Sequence, residues 1–284
     1  MKKNKVWFIT GAGRGLGLDI AKAVLNAGDK VVAAGRNTEK VSRALGKSQD
    51  LLVVKLDITK PTDAEASVKA ALDRFGTIDV LANNAGNFYG GYFEELTPEQ
   101  IEQQFKTNII GAMNITRAVL PVMRKHRSGK IISISSIAGI VGFEFCAAYG
   151  TSKFALDGWM QSLQHDVAPF GIHTIIVNPG FFRTEILTQD STTYADPSVK
   201  DYNDRREGQV QWWSAQNGQQ IGDPAKLAQA LIKLANQEQP PRRFIAGADA
   251  IAMADQMVAE LQDQINAYRE LSTSLAYEEA HASI

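Results

Sequence analysis

Three observations on the 284-residue sequence predict an α/β fold in which a doubly wound parallel sheet carries helices on both faces. Short β-favouring apolar runs alternate with amphipathic stretches along most of the chain, and parallel strands need crossover helices between them. The first apolar run leads straight into a cluster of glycines and then into a helical apolar stripe. A hydrophobic content of 44% at this length allows one sizeable core.

Taken in order, Val6–Thr10 reads as a buried strand, and Gly11, Gly13, Gly15 and Gly17 form the turn after it. Leu18, Ile20, Ala21, Val24 and Leu25 then mark the buried face of a helix. Later strands are expected at 30–34, 51–56, 79–82, 130–135, 173–177 and 243–246. Residues 1–249 are expected to form a single catalytic domain, with the polar stretch 185–222 inserted as a lid over the substrate. Residues 250–284 extend that domain by a helix and a tail. Ile251, Met253, Met257, Leu261, Ile265 and Tyr268 put an apolar stripe on a helix over 250–271. The helix either packs within the chain or pairs with another subunit; packing within the chain is favoured, a homodimer stays open and a tetramer is not assumed. Residues 272–284 are polar enough to fray.

Composition excludes several classes. The net charge is −1 and the basic residues are dispersed, so no footprint for nucleic acid or an anionic membrane is visible. No apolar run approaches membrane-spanning length, and the lysines at the start precede only the short run Val6–Ile9, too short for a signal peptide. The single cysteine, Cys146, cannot form an internal disulfide and has no basic residue recognisable beside it, so it reads as a buried or pocket-wall residue. A reducing compartment, the cytoplasm, fits best. The histidines at 126, 165, 173 and 281 lack zinc-ligand spacing, and no metal is expected.

Two stretches carry chemistry. A strand, a glycine turn and a helix start make a site for a pyrophosphate, because glycines let the backbone approach the anion and the helix end supplies free N–H groups. The G-x-G-x-x-G spacing does not fit, since Leu16 falls where its last glycine would be; Thr-Gly-x-x-x-Gly-x-Gly fits from Thr10 to Gly17. Tyr149 and Lys153 lie one helical turn apart, with Ser136 upstream at the end of a strand-like run. An ammonium against a phenol is expected to lower its pKa and make it a proton donor near neutral pH.

With these stretches in place the chain resembles the classical short-chain dehydrogenase/reductase family over roughly residues 5–248, and further motifs follow in that family's order. They are Asn83-Asn84-Ala85-Gly86, Asn108 within a helical pattern, and Asn178-Pro179-Gly180 with Thr184. The resemblance implies a Rossmann-type sheet with its site beyond the strand ends. It implies that Tyr149 is the general acid, Ser136 holds the carbonyl oxygen, and Lys153 holds the nicotinamide ribose. Asn108 is implied to anchor a water that feeds protons to Lys153. Asn83, Ala85 and Gly86 are implied to line the cofactor and support the sheet, and Pro179, Gly180 and Thr184 to fit around the nicotinamide. Asp57 and Ile58 resemble the adenine-contacting pair, although Asp57 equally suits the N-cap of the next helix.

At the end of the second strand an NAD site usually carries a carboxylate, whereas a 2′-phosphate needs an arginine. The sequence has Arg36 there and Arg14 inside the glycine turn, which resembles the NADP-preferring branch and points to NADP(H). Phe88, Phe143, Phe145, Phe181, Trp212 and Trp213 are candidate walls of an apolar substrate pocket. The expected activity is NADPH-dependent carbonyl reduction, reversible as alcohol oxidation, on a small-molecule ketone or aldehyde with an apolar or aromatic substituent. The alternatives are an NADP(H)-binding sensor or scaffold without turnover, disfavoured by the intact Ser136, Tyr149 and Lys153, and an epimerase or dehydratase of the extended branch, disfavoured by Arg36 and the short C-terminal segment.

Overall fold

The structure, a computed structural model, describes residues 4–188 and 191–277; the tail expected to fray lies outside the described residues from 278 onward, as does His281. Strand β1 (Val6–Thr10) sends Trp7 and Ile9 to one face and Val6 and Phe8 to the other, all buried, so its run is apolar throughout rather than alternating. The other strands are β2 (Lys30–Gly35), β3 (Leu51–Lys55), β4 (Val80–Asn83), β5 (Phe88–Gly90), β6 (Gly129–Ile134), β7 (Ile172–Pro179), β8 (Thr192–Tyr194) and β9 (Arg243–Ala246). Seven of them form one sheet in the order β3-β2-β1-β4-β6-β7-β9, every pair parallel. The chain winds outward from β1 to β3, then crosses to β4 and winds the other way. A crevice opens at that reversal, beyond the carboxyl ends of β1 and β4.

Helices α1 (Gly15–Asn26), α2 (Thr38–Leu45), α3 (Pro61–Phe75), α4 (Pro98–Phe105), α5 (Ala112–His126), α6 (Ala147–Val167), α7 (Asn203–Gln216), α8 (Pro224–Ala235), α9 (Ala248–Ala267) and α10 (Arg269–Thr273) complete the chain. On one face α3, α5 and α6 bury Val68, Ile115 and Met160 against Phe8, Leu81 and Ile131. On the other, α1 and α8 bury Ile20, Val24 and Leu231 against Trp7, Ile9 and Ile132. Between α4 and α5 the residues Lys106–Gly111 form a π-helical turn that carries Asn108, an irregularity frequent at functional sites.

Two parts differ from expectation. The segment 185–222 contains β8, which pairs in parallel with β5 as a second, two-stranded sheet, and the helix α7. Neither three-residue strand has a pattern long enough to read from sequence. The C-terminal helix does not pack within the chain along its length. Only Ala250 of α9 is buried; Met253, Ala254 and Met257 are partly covered, and every residue from Val258 to Tyr277 is exposed.

Candidate active site

A cleft of about 620 Å3 runs across the carboxyl ends of the strands from Arg36 and Asp57 at one end to Tyr149 and Trp213 at the other. Gly11, Gly13, Arg14, Gly15, Leu16, Ile58, Ala85, Gly86, Pro179, Gly180 and Thr184 line it as well. The turn after β1 closes because Gly11 adopts φ +69°, and a Cβ there would stand 3.0 Å from the Ala85 backbone. Gly17 is buried behind the cleft, where a Cβ would come within 2.4 Å of the Gly11 carbonyl and the Asn84 amide. It packs the helix closely on the turn and does not itself line the cleft.

The Thr10 hydroxyl accepts from the Asn84 and Ala85 backbone amides at 2.9 and 3.0 Å, and Asn84 Nδ2 donates to the Thr10 carbonyl at 3.0 Å. These bonds fix the end of β4 over the glycine turn. Asn84 therefore lines the cleft, whereas Asn83 points into the sheet and donates to Thr116 and Ser133. Strand alternation sends the two asparagines to opposite sides, so Asn83 supports the sheet and does not face the cleft.

Helix α1 starts at the cleft with no acidic residue in its first turn and no side-chain cap, so its N-terminal amides and dipole favour an anion there. Arg14, Arg36 and Lys40 all line this end. Lys40 was missed, although its four-residue spacing from Arg36 was legible. Asp57 Oδ1 accepts from the Thr59 hydroxyl at 2.7 Å and the Thr59 amide at 3.0 Å. Burial opposes its charge, but the Thr59 hydrogen bonds outweigh that with help from Lys60 and Arg36 and hold the carboxyl below its ordinary value. Asp57 is not a helix cap, since the N-cap of α3 is Lys60.

At the other end Ser136, Tyr149 and Lys153 come together on the cleft wall. Ser136 follows β6 and opens the short turn Ile137–Gly139, where its Oγ accepts from the Ala138 amide at 3.1 Å. The Tyr149 hydroxyl lies close enough to Ser136 for that side chain to favour its ionised form, and Lys153 Nζ lies 5.6 Å from the Tyr149 ring centroid while donating to the Ile134 carbonyl at 3.0 Å. Burial pushes the Tyr149 phenol up to about 12, with only the Ser136 bond acting to lower it. Burial also pulls Lys153 down to about 8, against the raising effect of Asp157. Burial is the largest influence on the phenol, and the Lys153 ammonium stands over the Tyr149 ring.

A buried network that the sequence did not disclose fixes this wall. Asn178 Nδ2 donates to the Ser136 carbonyl at 2.7 Å and to Asp157 Oδ2 at 2.9 Å, and Arg243 Nη1 reaches Asp157 Oδ2 at 2.5 Å and Asn178 Oδ1 at 2.7 Å. Asn108 does not line the cleft. Its Oδ1 accepts from the Asn87 amide at 3.0 Å, and its Nδ2 donates to the Asn87 carbonyl and Ser152. The side chain thereby holds the loop after β4.

Phe88, Phe143, Phe181 and Trp213 form the apolar wall beside Tyr149. Phe88 meets Tyr149 edge-on at 5.0 Å and Trp213 at 5.4 Å, and Phe181 lies 6.1 Å from Trp213. Two expected pocket residues stand elsewhere. Phe145 has φ +67° and turns away to pack on Tyr92 and Tyr194, and Trp212 lies on the outer side of α7, 46% exposed. Cys146 lines the wall with its thiol pushed up to about 12 by burial, a state without nucleophilic character near neutral pH. Gln220 and Ile186 also line the cleft and had no sequence signal. Among the described residues no group of three metal-binding side chains occurs.

The segment over the cleft is fastened by Glu95, whose side chain is fully buried. Its Oε1 accepts from the Ser198 and Val199 amides at 3.0 and 3.1 Å, and both oxygens pair with Arg206 of α7. The Arg206 guanidinium holds the carboxyl down at about 2 despite burial.

A doubly wound parallel sheet with a glycine turn at one end of its crevice and Ser, Tyr and Lys at the other defines a nucleotide-dependent oxidoreductase class. Residues 5–195 match the family model for short chain dehydrogenases, and the chain belongs to that family. Oxidoreductase BOA17 of Botryotinia fuckeliana is 33% identical over 275 residues, covering 96% of this chain and 99% of the relative. A solved short-chain dehydrogenase from Streptomyces avermitilis superposes with a TM-score of 0.87 at 32% identity, covering 98% of this chain and all of that one. Two further structures are 25% identical. ElxO with NADP bound has a TM-score of 0.70 and covers 86% and 96% of the two chains; Brucella melitensis 3-ketoacyl-(acyl-carrier-protein) reductase complexed with NADH has 0.72 and covers 87% and 97%.

Proposed function

We propose that this oxidoreductase is an NADPH-dependent carbonyl reductase, reversible as an alcohol dehydrogenase, acting on ketones or aldehydes with an apolar or aromatic substituent. The observation that carries the reading is the Ser136–Tyr149 hydroxyl pair, backed by Lys153, on the wall of a cleft whose other end gathers Arg14, Arg36 and Lys40. The residues fit a nicotinamide dinucleotide: the glycine turn and the uncapped start of α1 suit its pyrophosphate, and the arginines suit a 2′-phosphate. When bound, that coenzyme supplies the hydride.

The chain's own residues manage the oxygen. Reduction places negative charge on the carbonyl oxygen, so a proton donor must stand within hydrogen-bond reach. Ser136 holds that oxygen. Tyr149 gives its proton, which burial keeps on the phenol at neutral pH, and the nearby Lys153 charge stabilises the phenolate left behind. Phe88, Phe181 and Trp213 exclude water and seat the apolar substituent. The buried single cysteine suits a reducing compartment.

The test is a screen of NADPH and NADH oxidation across ketones and aldehydes, with Tyr149→Phe alongside. Turnover with NADPH preferred is expected, and the phenylalanine variant should lose about 100-fold or more in kcat while still binding coenzyme. Coenzyme binding without turnover on any carbonyl would leave the sensor reading in its place.

A further inference from the structure

One backbone segment carries the apolar wall between the sheet and α7. Phe181 follows β7, and its ring lies 6.0 Å from Trp212 and 6.1 Å from Trp213. Its backbone is held on both sides. The Phe181 carbonyl accepts from the Gly222 amide at 2.9 Å, where the chain returns from the segment over the cleft. The Phe181 amide donates to Asp249 Oδ2 at 2.7 Å, a partner 68 residues further along the chain.

Asp249 stands in the first turn of α9, and Gly247 at φ +108° brings the chain round from β9 into that turn. The corner runs beside the loop after β7. The Gly180 amide donates to the Ala246 carbonyl at 2.9 Å, and a Cβ on Gly180 would overlap both Asp249 carboxylate oxygens. A carboxylate this close leaves no room for a side chain at residue 180 and offers residue 181 a charge-assisted acceptor. A helix start also favours negative charge, so α9 supports the group that supports the loop. The base of α9 is itself firm: Ala250 is fully buried, and the helix lies against the Ile137–Gly139 turn that Ser136 opens. Asp249 does not line the cleft.

We propose that Asp249 is a positioning residue for the substrate. By holding the Phe181 amide it sets the Phe181 ring against Trp213, fixes the width of the apolar end of the cleft, and so favours aryl-bearing carbonyl compounds over small ones. The proposal rests on the carbonyl-reductase reading above and adds to it a determinant that acts only through another residue. Without the acceptor, a partly buried amide has to find a new partner, and the backbone that carries the ring moves with it.

The test is steady-state kinetics with NADPH on an aryl ketone and a small alkyl ketone, alongside titration of the aryl ketone by tryptophan fluorescence, which needs no turnover. Asp249→Leu should lower the aryl-over-alkyl ratio of kcat/KM by about tenfold, raising KM for the aryl ketone more than it lowers kcat. Asp249→Asn keeps an acceptor oxygen and should hold the ratio within about twofold of the wild type. In a Phe181→Ala background, Asp249→Leu should change the ratio no further, because the ring it places is gone. Asp249→Ala reads the same loss if the leucine variant does not fold. The proposal is overturned by an unchanged ratio in a folded leucine or alanine variant, by an equal loss in the asparagine variant, or by a full effect that persists without the Phe181 ring. A wild type that binds the aryl ketone but reduces no carbonyl would sink the reductase reading alone, and the fluorescence titration would then read the same variants. A wild type that neither binds nor reduces it overturns both.

Discussion

Replacing Glu95 by glutamine should open the segment over the cleft without unfolding the body. The carboxylate receives two backbone amides from Ser198 and Val199 and both arms of Arg206, all with its side chain fully buried. Glutamine keeps the shape and one acceptor but removes the charge, leaving a guanidinium in a poorly solvated site. Losing one partner of a buried pair costs about 3–5 kcal/mol. The Arg206 hydrogen bonds, with the Ser198 and Val199 amides, hold the Glu95 carboxyl down at about 2, which has the same sign as that cost. Because the pair joins a short turn to α7 and nothing in the main sheet, this energy is lost from the closed segment. A change of about 3 kcal/mol raises the open population by about 100-fold.

Amide hydrogen exchange across residues 198–216 measures that population directly. Faster exchange there, with β1 and β4 unaffected, is the expected result. The sign with pH follows from the depressed carboxyl: its contribution is fully present above the ordinary value of 4.5 and fades as pH falls toward 2, so the wild-type segment should loosen over that window. Arg206→Met combined with Glu95→Gln should cost less than the two changes summed. Unchanged exchange in Glu95→Gln, or strict additivity in the double variant, would refute the fastening argument.

Arg36→Asp should shift the KM ratio toward NADH by about tenfold or more, by placing a carboxylate where a ribose hydroxyl rather than a phosphate is welcome, measured by steady-state kinetics with both coenzymes. Reduction should fall as pH rises through about 8, because Lys153 is charged below that value and neutral above it; Lys153→Met should flatten this limb of the pH–rate profile. Gly17→Ala should destabilise the fold by about 1–3 kcal/mol in urea unfolding, since its Cβ would press on the Gly11 carbonyl. Trp213→Ala should raise KM for an aryl ketone more than for a small one, as it removes the ring facing Phe88 and Phe181.

Local patterns carried the sequence reading a long way. The apolar runs at Val6–Thr10 and near 130–135 became sheet strands, because a strand buried on both faces has a continuous apolar signature that survives any arrangement of its neighbours. The glycine turn was legible for a similar reason, since its backbone demands are local. Ser136, Tyr149 and Lys153 were legible by spacing along one strand end and one helix. Asn108 stands out by its place in a family motif, yet its side chain holds Asn87, a partner twenty-one residues away that no local pattern names. Phe145, two residues after Phe143, has a positive φ and packs on Tyr92 behind the wall.

What the sequence determined by itself was the order of elements, the strand-turn-helix that suits a pyrophosphate and the class of chemistry, because those are encoded by residues within a turn or two of one another. Tertiary structure alone decided which asparagine of the pair at 83 and 84 faces the cleft and how Arg243, Asp157 and Asn178 brace Ser136. It also decided how deeply the Tyr149 phenol is buried, and that the last long helix leaves the body with apolar side chains exposed. The physical reason is the same in each case: desolvation and pairing between distant segments depend on what the folded chain places nearby, and a linear pattern holds no record of that distance.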